Sequence, residues 1–289
     1  MENNGIPLVN VPMGPGSQDE GEMVLDYMKM PSEMDSYDIP ILPEPEQASE
    51  CPQALAVLEQ LQHHLKTYRI GDEPPVMLLS ALPEPDLDLI NQILGEGEVS
   101  LTLTGETEVK AQETVLAGVW RLREFDKNGD VIRESIEVAD VPGVSREQAF
   151  QSGQPLNTEQ LQIPEGVLNA PSVLIEIGEA STVYSMQTEK PEAPHVINLS
   201  LLPFSPLDHA YLDQVVGQGP VTILSRGYGN CRITSTCVDG LWRVQYFNST
   251  DQLILDTLEI TDIPLVACAA PEDLSDSYER LIEIREVLV

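Results

Sequence analysis

The chain repeats itself, and that repeat restricts the possible folds more than any other feature. Its only two tryptophans, Trp120 and Trp242, stand 122 residues apart. At the same offset fall Gly95/Gly217, Gly97/Gly219, Gly105/Gly227, Thr114/Thr236, Gly118/Gly240, Arg121/Arg243, Phe125/Phe247, Ile132/Ile254, Glu137/Glu259, Asp140/Asp262 and Pro142/Pro264. Upstream the offset is 120, matching Leu79-Ser80 with Leu199-Ser200, Leu82-Pro83 with Leu202-Pro203, and Asp88 with Asp208. A duplicated unit is its own control. Residues kept in both copies read as scaffold, and residues special to one copy are candidates for function.

The periodicities fill in each unit. Val76 to Leu82 is a short apolar run that predicts a buried strand. Asp86 to Leu94 has helical spacing and stops at Gly95. Val99, Leu101 and Leu103 alternate as in a half-buried strand, a second strand is expected over Glu108 to Val115, and Val119 to Val138 reads as a hairpin about Asn128-Gly129. In that hairpin Ile132, Ile136 and Val138 share one face, and Arg133, Ser135 and Glu137 the other. The second copy follows suit, with strands at Val196 to Leu202, Val221 to Ser225, Arg232 to Val238, Leu241 to Phe247 and Leu253 to Ile260, and a helix at Pro206 to Val216. Both copies then offer a helix bearing Leu-Ile-Glu-Ile, at Leu174 to Ile177 and at Leu281 to Ile284. That offset of 107 leaves 15 extra residues in the first copy, placed over Gln151 to Pro164. The expectation is an α+β fold of two tandem pseudo-repeats, each roughly β-α-β-β-β-β-α. Its divisions are an acidic extended arm (1–51), a helix and linker (52–75), repeat one (76–193) and repeat two (194–289). Leu55, Leu58, Leu61 and Leu65 make the helix before repeat one amphipathic.

Composition excludes whole classes of function. With 48 Asp and Glu against 15 Lys and Arg, the net charge is −33. A nucleic-acid binder needs a basic face to displace counterions, and an anionic membrane surface would repel this chain. The charge suits a basic partner, or solubility alone. The first 50 residues carry eleven acidic residues, seven prolines and six of the eight methionines, and read as an extended arm or a solubilising tail. No signal peptide and no apolar run of membrane length is visible, so a cytoplasmic location with reduced thiols is expected.

The copies differ most between Ser225 and Ile233. There the second copy has Arg226, Gly227, Tyr228, Gly229, Asn230, Cys231 and Arg232 where the first has Thr104 to Lys110, and only the glycine is kept. A phosphate cradle would want a third glycine at Arg232 and a helix after it. A reactive thiol would use Arg226 and Arg232 to stabilise a thiolate at Cys231. Cys231 and Cys237 lie about 20 Å apart on an extended strand, too far to share a metal. A recognition loop would present arginine, tyrosine and asparagine on flexible glycines. A tight turn would use Cys231 merely to fill an apolar slot. Alignment with Val109 and Val115 favours burial of Cys231 and Cys237. Elsewhere no catalytic or metal-binding spacing occurs. His63, His64, His195 and His209 lack metal-spaced companions, Trp120 and Trp242 read as core anchors, and the paired aspartates read as caps or turn residues.

The run from Arg226 to Ile233, with Ser235-Thr236 and the stretch Trp242 to Asn248, resembles the HupH/HyaF family of hydrogenase expression proteins. Asn198 to Pro203, Asp262 to Pro264, Ala269-Ala270 and Asp276-Ser277 are similar to that family's C-terminal region, and Gly14 to Gln18 to another of its elements. The resemblance extends over nearly the whole chain, most densely over 195–289. It implies a non-enzymatic accessory factor for maturation of uptake nickel–iron hydrogenases, with no cofactor of its own. Such a factor would handle the small-subunit precursor, which carries iron–sulfur clusters and a basic signal segment, before its export, beside a thioredoxin-like accessory protein. The net charge adds the expectation that the acidic surface or the N-terminal tail engages that signal segment. A thiol-dependent enzyme or iron–sulfur cluster-transfer factor centred on Cys231 is the alternative, and a structural subunit without a site is a third.

Overall fold

Asn128-Gly129 turns the chain as its residues demand. Gly129 takes φ +87°, and Asp126 Oδ1 accepts from the N–H groups of Asn128 and Asp130 at 2.8 and 3.0 Å. At the matching turn Asp251 takes φ +57°, and Asn248 Oδ1 accepts from Thr250 and Gln252, both at 2.9 Å. The turn needs a left-handed residue, which glycine supplies freely and aspartate tolerates.

The computed structural model describes residues 42–151, 153–187, 193–227 and 229–288. In chain order these form helices α1 (Pro45–Ser49) and α2 (Pro52–Thr67), strand β1 (Val76–Leu78), helix α3 (Glu84–Leu94), and strands β2 (Val99–Leu103), β3 (Glu108–Glu113), β4 (Val119–Phe125) and β5 (Val131–Val138). Helices α4 (Gly143–Gln148) and α5 (Ala170–Met186) follow, then strand β6 (His195–Asn198) and helix α6 (Pro206–Val216). Strands β7 (Val221–Ser225), β8 (Asn230–Ser235), β9 (Leu241–Phe247) and β10 (Leu253–Ile260) lead to helix α7 (Pro271–Leu288).

All ten strands join one antiparallel sheet, ordered β1-β5-β4-β3-β2-β7-β8-β9-β10-β6. The first five strands fill one half and the last five fill the other in mirrored order. At the seam Leu101 pairs with Ile223. Across six central strands Leu122, Ala111, Leu101, Ile223, Ile233 and Val244 stand side by side, each at most 7% exposed. The alternate row on the other face is Arg123, Lys110, Thr102, Thr222, Thr234 and Arg243, none of them buried. One central face therefore lies in the core and the other meets solvent, as alternating side chains of an antiparallel sheet require. Trp120 and Trp242 are fully buried, and their indole N–H groups donate to Ala139 O (3.0 Å) and Asp262 O (3.1 Å).

Several expectations need correction. The arm assigned to 1–51 is helical at Pro45–Ser49, where Ala48 and Cys51 pack into the core; residues 1–41 lie outside the described residues. The strand at Val76 stops at Leu78, and the one at Val196 gives way to a 3-10 turn at Leu199–Leu201. The face of β5 holding Ser135 and Glu137 is buried, whereas Ile132 is 55% exposed. The pairing shifts register between Glu124 and Phe125, so the tip of this hairpin does not continue the inner face.

The largest correction concerns α5, expected to close the first unit. It opens the second. Asp86 Oδ1 accepts from the N–H of Ala54 at the start of α2 (2.8 Å). Its counterpart 122 residues on, Asp208, accepts from the N–H groups of Leu168, Asn169 and Ala170 at the start of α5 (2.8 to 3.0 Å). With Ala54 set on Ala170, Val57 falls on Val173, Leu58 on Leu174, Leu61 on Ile177 and Tyr68 on Tyr184, all buried. Asp86, not the exposed Asp88, is therefore the partner of Asp208. The Leu-Ile-Glu-Ile string of α7 is a chance likeness. α7 packs along α2, with Ser277 Oγ donating to Ala117 O (2.9 Å) and Leu274 filling the space above Gly118. The predicted insertion holds a 3-10 turn, Thr158–Gln160, whose Thr158 meets α5 at Gly178.

Two apolar clusters result. One joins α2, α3 and α7 to both tryptophans and the central inner row. The other joins α5 and α6 to Ile197, Leu241, Leu258 and Ile260.

Candidate functional site

The run from Arg226 to Arg232 forms the β7–β8 turn and the start of β8, and the structure divides its residues. Arg226 and Gly227 are exposed, as is Gly229 at φ +100°. Asn230 is half-buried, and Tyr228 lies outside the described residues. The backbone N–H of Arg226 donates to Glu98 O at 3.1 Å, which hooks the turn onto the first copy. Reciprocally, Thr104 N donates to Pro220 O at 2.9 Å, so the matching β2–β3 turn hooks onto the second. A Cβ at residue 227 would run into the Glu98 carboxylate, so glycine there permits this close approach.

Cys231 and Arg232 belong to the scaffold. Cys231 is 3% exposed on the inner face, paired across the sheet with Ser225 and Tyr246. It fills the slot that Val109, 5% exposed, fills in the first copy. Burial pushes its thiol up to about 12, against a smaller opposing hydrogen bond from Tyr246. A thiol so placed is protonated at neutral pH. Arg232 points to the other face, its guanidinium 5.6 Å from the Phe247 ring centroid. Its counterpart Lys110 lies 5.0 Å from the Phe125 ring, so both copies make the same cation–π contact.

Cys237 does not follow Cys231 into the core. β8 ends at Ser235, and Cys237 is exposed, its Sγ 3.4 Å from Gln218 O. The alignment with Val115 predicted burial, but the strand stops two residues short of Cys237. The two thiols therefore do not form a site. Among the described residues no three His, Cys, Asp or Glu side chains are placed to hold a metal ion. His195 Nε2 lies 2.9 Å from Glu176 Oε1 at the surface, His209 stacks edge-on against Phe204, and His63 and His64 meet each other.

A polar cluster that sequence reasoning missed joins the two copies. Arg146 donates to Asp140 through Nη1 (3.2 Å) and Nη2 (2.8 Å), and to Asp262 through Nε (2.9 Å). Tyr68 Oη donates to Asp140 Oδ1 at 3.3 Å. Beside them burial pushes the Cys268 thiol up to about 12, with the Asp140 charge adding to the effect. The aspartates were visible as a kept pair. Arg146 was not, because its counterpart at 122 residues is Cys268. A shared carboxylate pair with an arginine in only one copy is the signal that could have found it.

Arg121 with Glu134 (2.6 Å) and Arg243 with Asp256 (2.7 Å) are a further matched pair. Ser80 Oγ accepts from Glu134 N (3.0 Å) and Ser200 Oγ from Asp256 N (2.8 Å). Every one of these residues is therefore fold. Among the described residues, the exposed, copy-specific part of the predicted site reduces to Arg226 and Gly229, with Asn230 half-buried beside them.

The model of the HupH hydrogenase expression protein C-terminal conserved region matches residues 52–154 and, separately, 167–288. The chain is 52% identical to the hydrogenase expression/formation protein HupQ of Azotobacter chroococcum mcd 1, covering 95% of each. It is 50% identical to HoxQ of Azotobacter vinelandii, covering 99% of each. It is 32% identical to the hydrogenase-1 operon protein HyaF of Escherichia coli K12, covering 94% of each.

Proposed function

The chain belongs to the HupH family of hydrogenase expression proteins, and from that premise we propose that it is a binding factor for an immature hydrogenase subunit. A role in hydrogenase maturation follows from the relatives' names. The finer reading is ours: the client is the iron–sulfur small-subunit precursor of an uptake nickel–iron hydrogenase, held in the cytoplasm before export. A thioredoxin-like accessory protein is the second partner in this reading. The scaffold is two copies of one α-β-α-β-β-β-β unit followed by α7, and the second copy carries the client contact.

One observation carries this reading. Arg226 and Gly229 are exposed and specific to the second copy, while the buried faces and the Arg121–Glu134 and Arg243–Asp256 ion pairs are common to both. An exposed arginine beside glycine hinges, with a half-buried asparagine next to it, suits the capture of another polypeptide. The net charge of −33 gives the basic signal segment of a precursor a long-range attraction. No helix among the described residues is long and apolar enough to cross a membrane.

The thiol mechanism centred on Cys231 loses its support to burial, because a sealed, protonated thiol is neither nucleophile nor cluster ligand. We assign the protein no catalytic step. Co-purification with the small-subunit precursor, with and without its signal segment and at low and high salt, tests the proposal. Retention that depends on the signal segment and weakens with salt is expected. Retention of the large subunit instead would overturn it.

A further inference from the structure

Helices α2 and α5 hold the same place in the two units, so each shows what the other needs for folding alone. Their buried faces agree from Ala54/Ala170 to Tyr68/Tyr184. Their outer faces do not. In the same alignment α2 carries Glu59, Gln60, His63 and Thr67, all exposed, where α5 carries Ile175, Glu176, Glu179 and Val183, all exposed. Ile175 is 50% exposed and Val183 57%, so neither change serves the core. Leu168 before the helix is 76% exposed and Met186 at its end 78%. Together they draw an apolar stripe about 25 Å long at about 1.5 Å per residue.

A groove runs beside this stripe, between α5 and β6. Ala180, Val183, Pro194 and Ile260 make its apolar wall, and Glu176 and Glu179 stand on its rim. β6 is the last strand of the sheet, with Val196 48% exposed. The same helix has thus acquired both apolar and acidic residues, at positions where its counterpart is polar and carries only one carboxylate. Isolated exposed apolar residues are ordinary, but Ile175 and Val183, specific to this copy and interleaved with Glu176 and Glu179, make a recognition pattern.

We propose that the outer face of α5 and the α5–β6 groove are a docking surface for a cationic amphipathic helix of a partner polypeptide. The apolar side of that helix covers Ile175, Val183 and Met186, and its lysines or arginines meet Glu176 and Glu179. The stripe length accommodates roughly 17 helical residues. The proposal rests on the accessory-factor reading only in taking the helix to belong to a client; the surface itself is tested without one.

The probe is a fluorescent 18-residue helical peptide of leucine and lysine, titrated into the full chain by anisotropy, with a leucine–glutamate peptide as control. The variants import the residues of α2: I175E/V183T and E176Q/E179H. Both are built from side chains that the matching helix already tolerates, and circular dichroism checks that each folds. The full chain should bind the lysine peptide and not the glutamate peptide. I175E/V183T should weaken binding at least tenfold although it adds a negative charge. E176Q/E179H should weaken it several-fold and flatten its salt dependence. Unchanged affinity in folded I175E/V183T overturns the proposal. So does a wild-type dimer that I175E/V183T dissolves, which would make this face a contact between two copies. Loss of precursor binding on altering the Arg226 turn, with peptide binding on α5 intact, separates the two sites.

Discussion

Asp140 and Asp262, 122 residues apart in sequence, share the guanidinium group of Arg146. They follow β5 and β10, which lie second from opposite edges of the ten-stranded sheet. A single side chain spans both, because the segments that follow β5 and β10 reach across: Ala269 N donates to Asp140 O at 2.9 Å and Gln154 N to Cys237 O at 3.1 Å. Asp140 is 2% exposed, and Arg146 is the cation that compensates it.

Arg146→Ala leaves a buried carboxylate unpaired and should cost about 3–5 kcal/mol in urea unfolding. Asp262→Asn removes a partner whose side chain is 52% exposed and should cost under about 1 kcal/mol. Equal costs would show that Asp140 is not the carboxylate that needs the arginine.

Asp208→Ala exposes the difference between matched caps. Asp208 accepts from three N–H groups at the start of α5 and forms a capping box with Ser205, whereas Asp86 serves Ala54. The change at 208 should cost about 3 kcal/mol and the change at 86 about 1 kcal/mol, read from denaturation midpoints.

Glu113 gives stability a pH dependence of definite sign. Burial pushes its carboxyl up to about 7, against the hydrogen bond from Gly118 N. A carboxyl raised above its unfolded value favours the fold below about pH 4.5, and that advantage is lost as pH rises through about 7. Glu113→Gln should therefore gain on the wild type between pH 4.5 and 8, by up to about 3 kcal/mol. A constant difference across that range would contradict the assignment.

Cys231→Val places the residue of the matching slot into the second copy. Stability should change by under about 1.5 kcal/mol, and hydrogenase maturation should persist in cells carrying the variant. A folded variant that fails in maturation would restore a thiol role.

Much of this was readable in the residues, for stated reasons. Trp120 and Trp242 marked the offset because large buried aromatics cannot drift without breaking the core. Asn128-Gly129 marked its hairpin because few residues take its backbone conformation. Val109 marked the slot of Cys231. The place of α5 was not readable, because the offset changes from 116 at the helix to 122 in the strands as the second copy's connections lengthen. Only the hydrogen bonds of Asp86 and Asp208 fix its phase. Arg146 was hidden because a partner in the other copy, reached across the fold, leaves no trace in local spacing. The predicted loop was narrowed because strand alternation sends Cys231 inward and Arg232 onto Phe247, leaving Arg226, Gly227 and Gly229 exposed.

The central claim is that the second copy's turn, not its thiol or its scaffold, captures the client. The direct measurement replaces residues 226–229 with the sequence of residues 104–107 and compares retention of the hydrogenase small-subunit precursor by the two chains. The account predicts loss of retention with an unchanged unfolding midpoint. A swapped chain that holds the precursor as tightly as the original would contradict it.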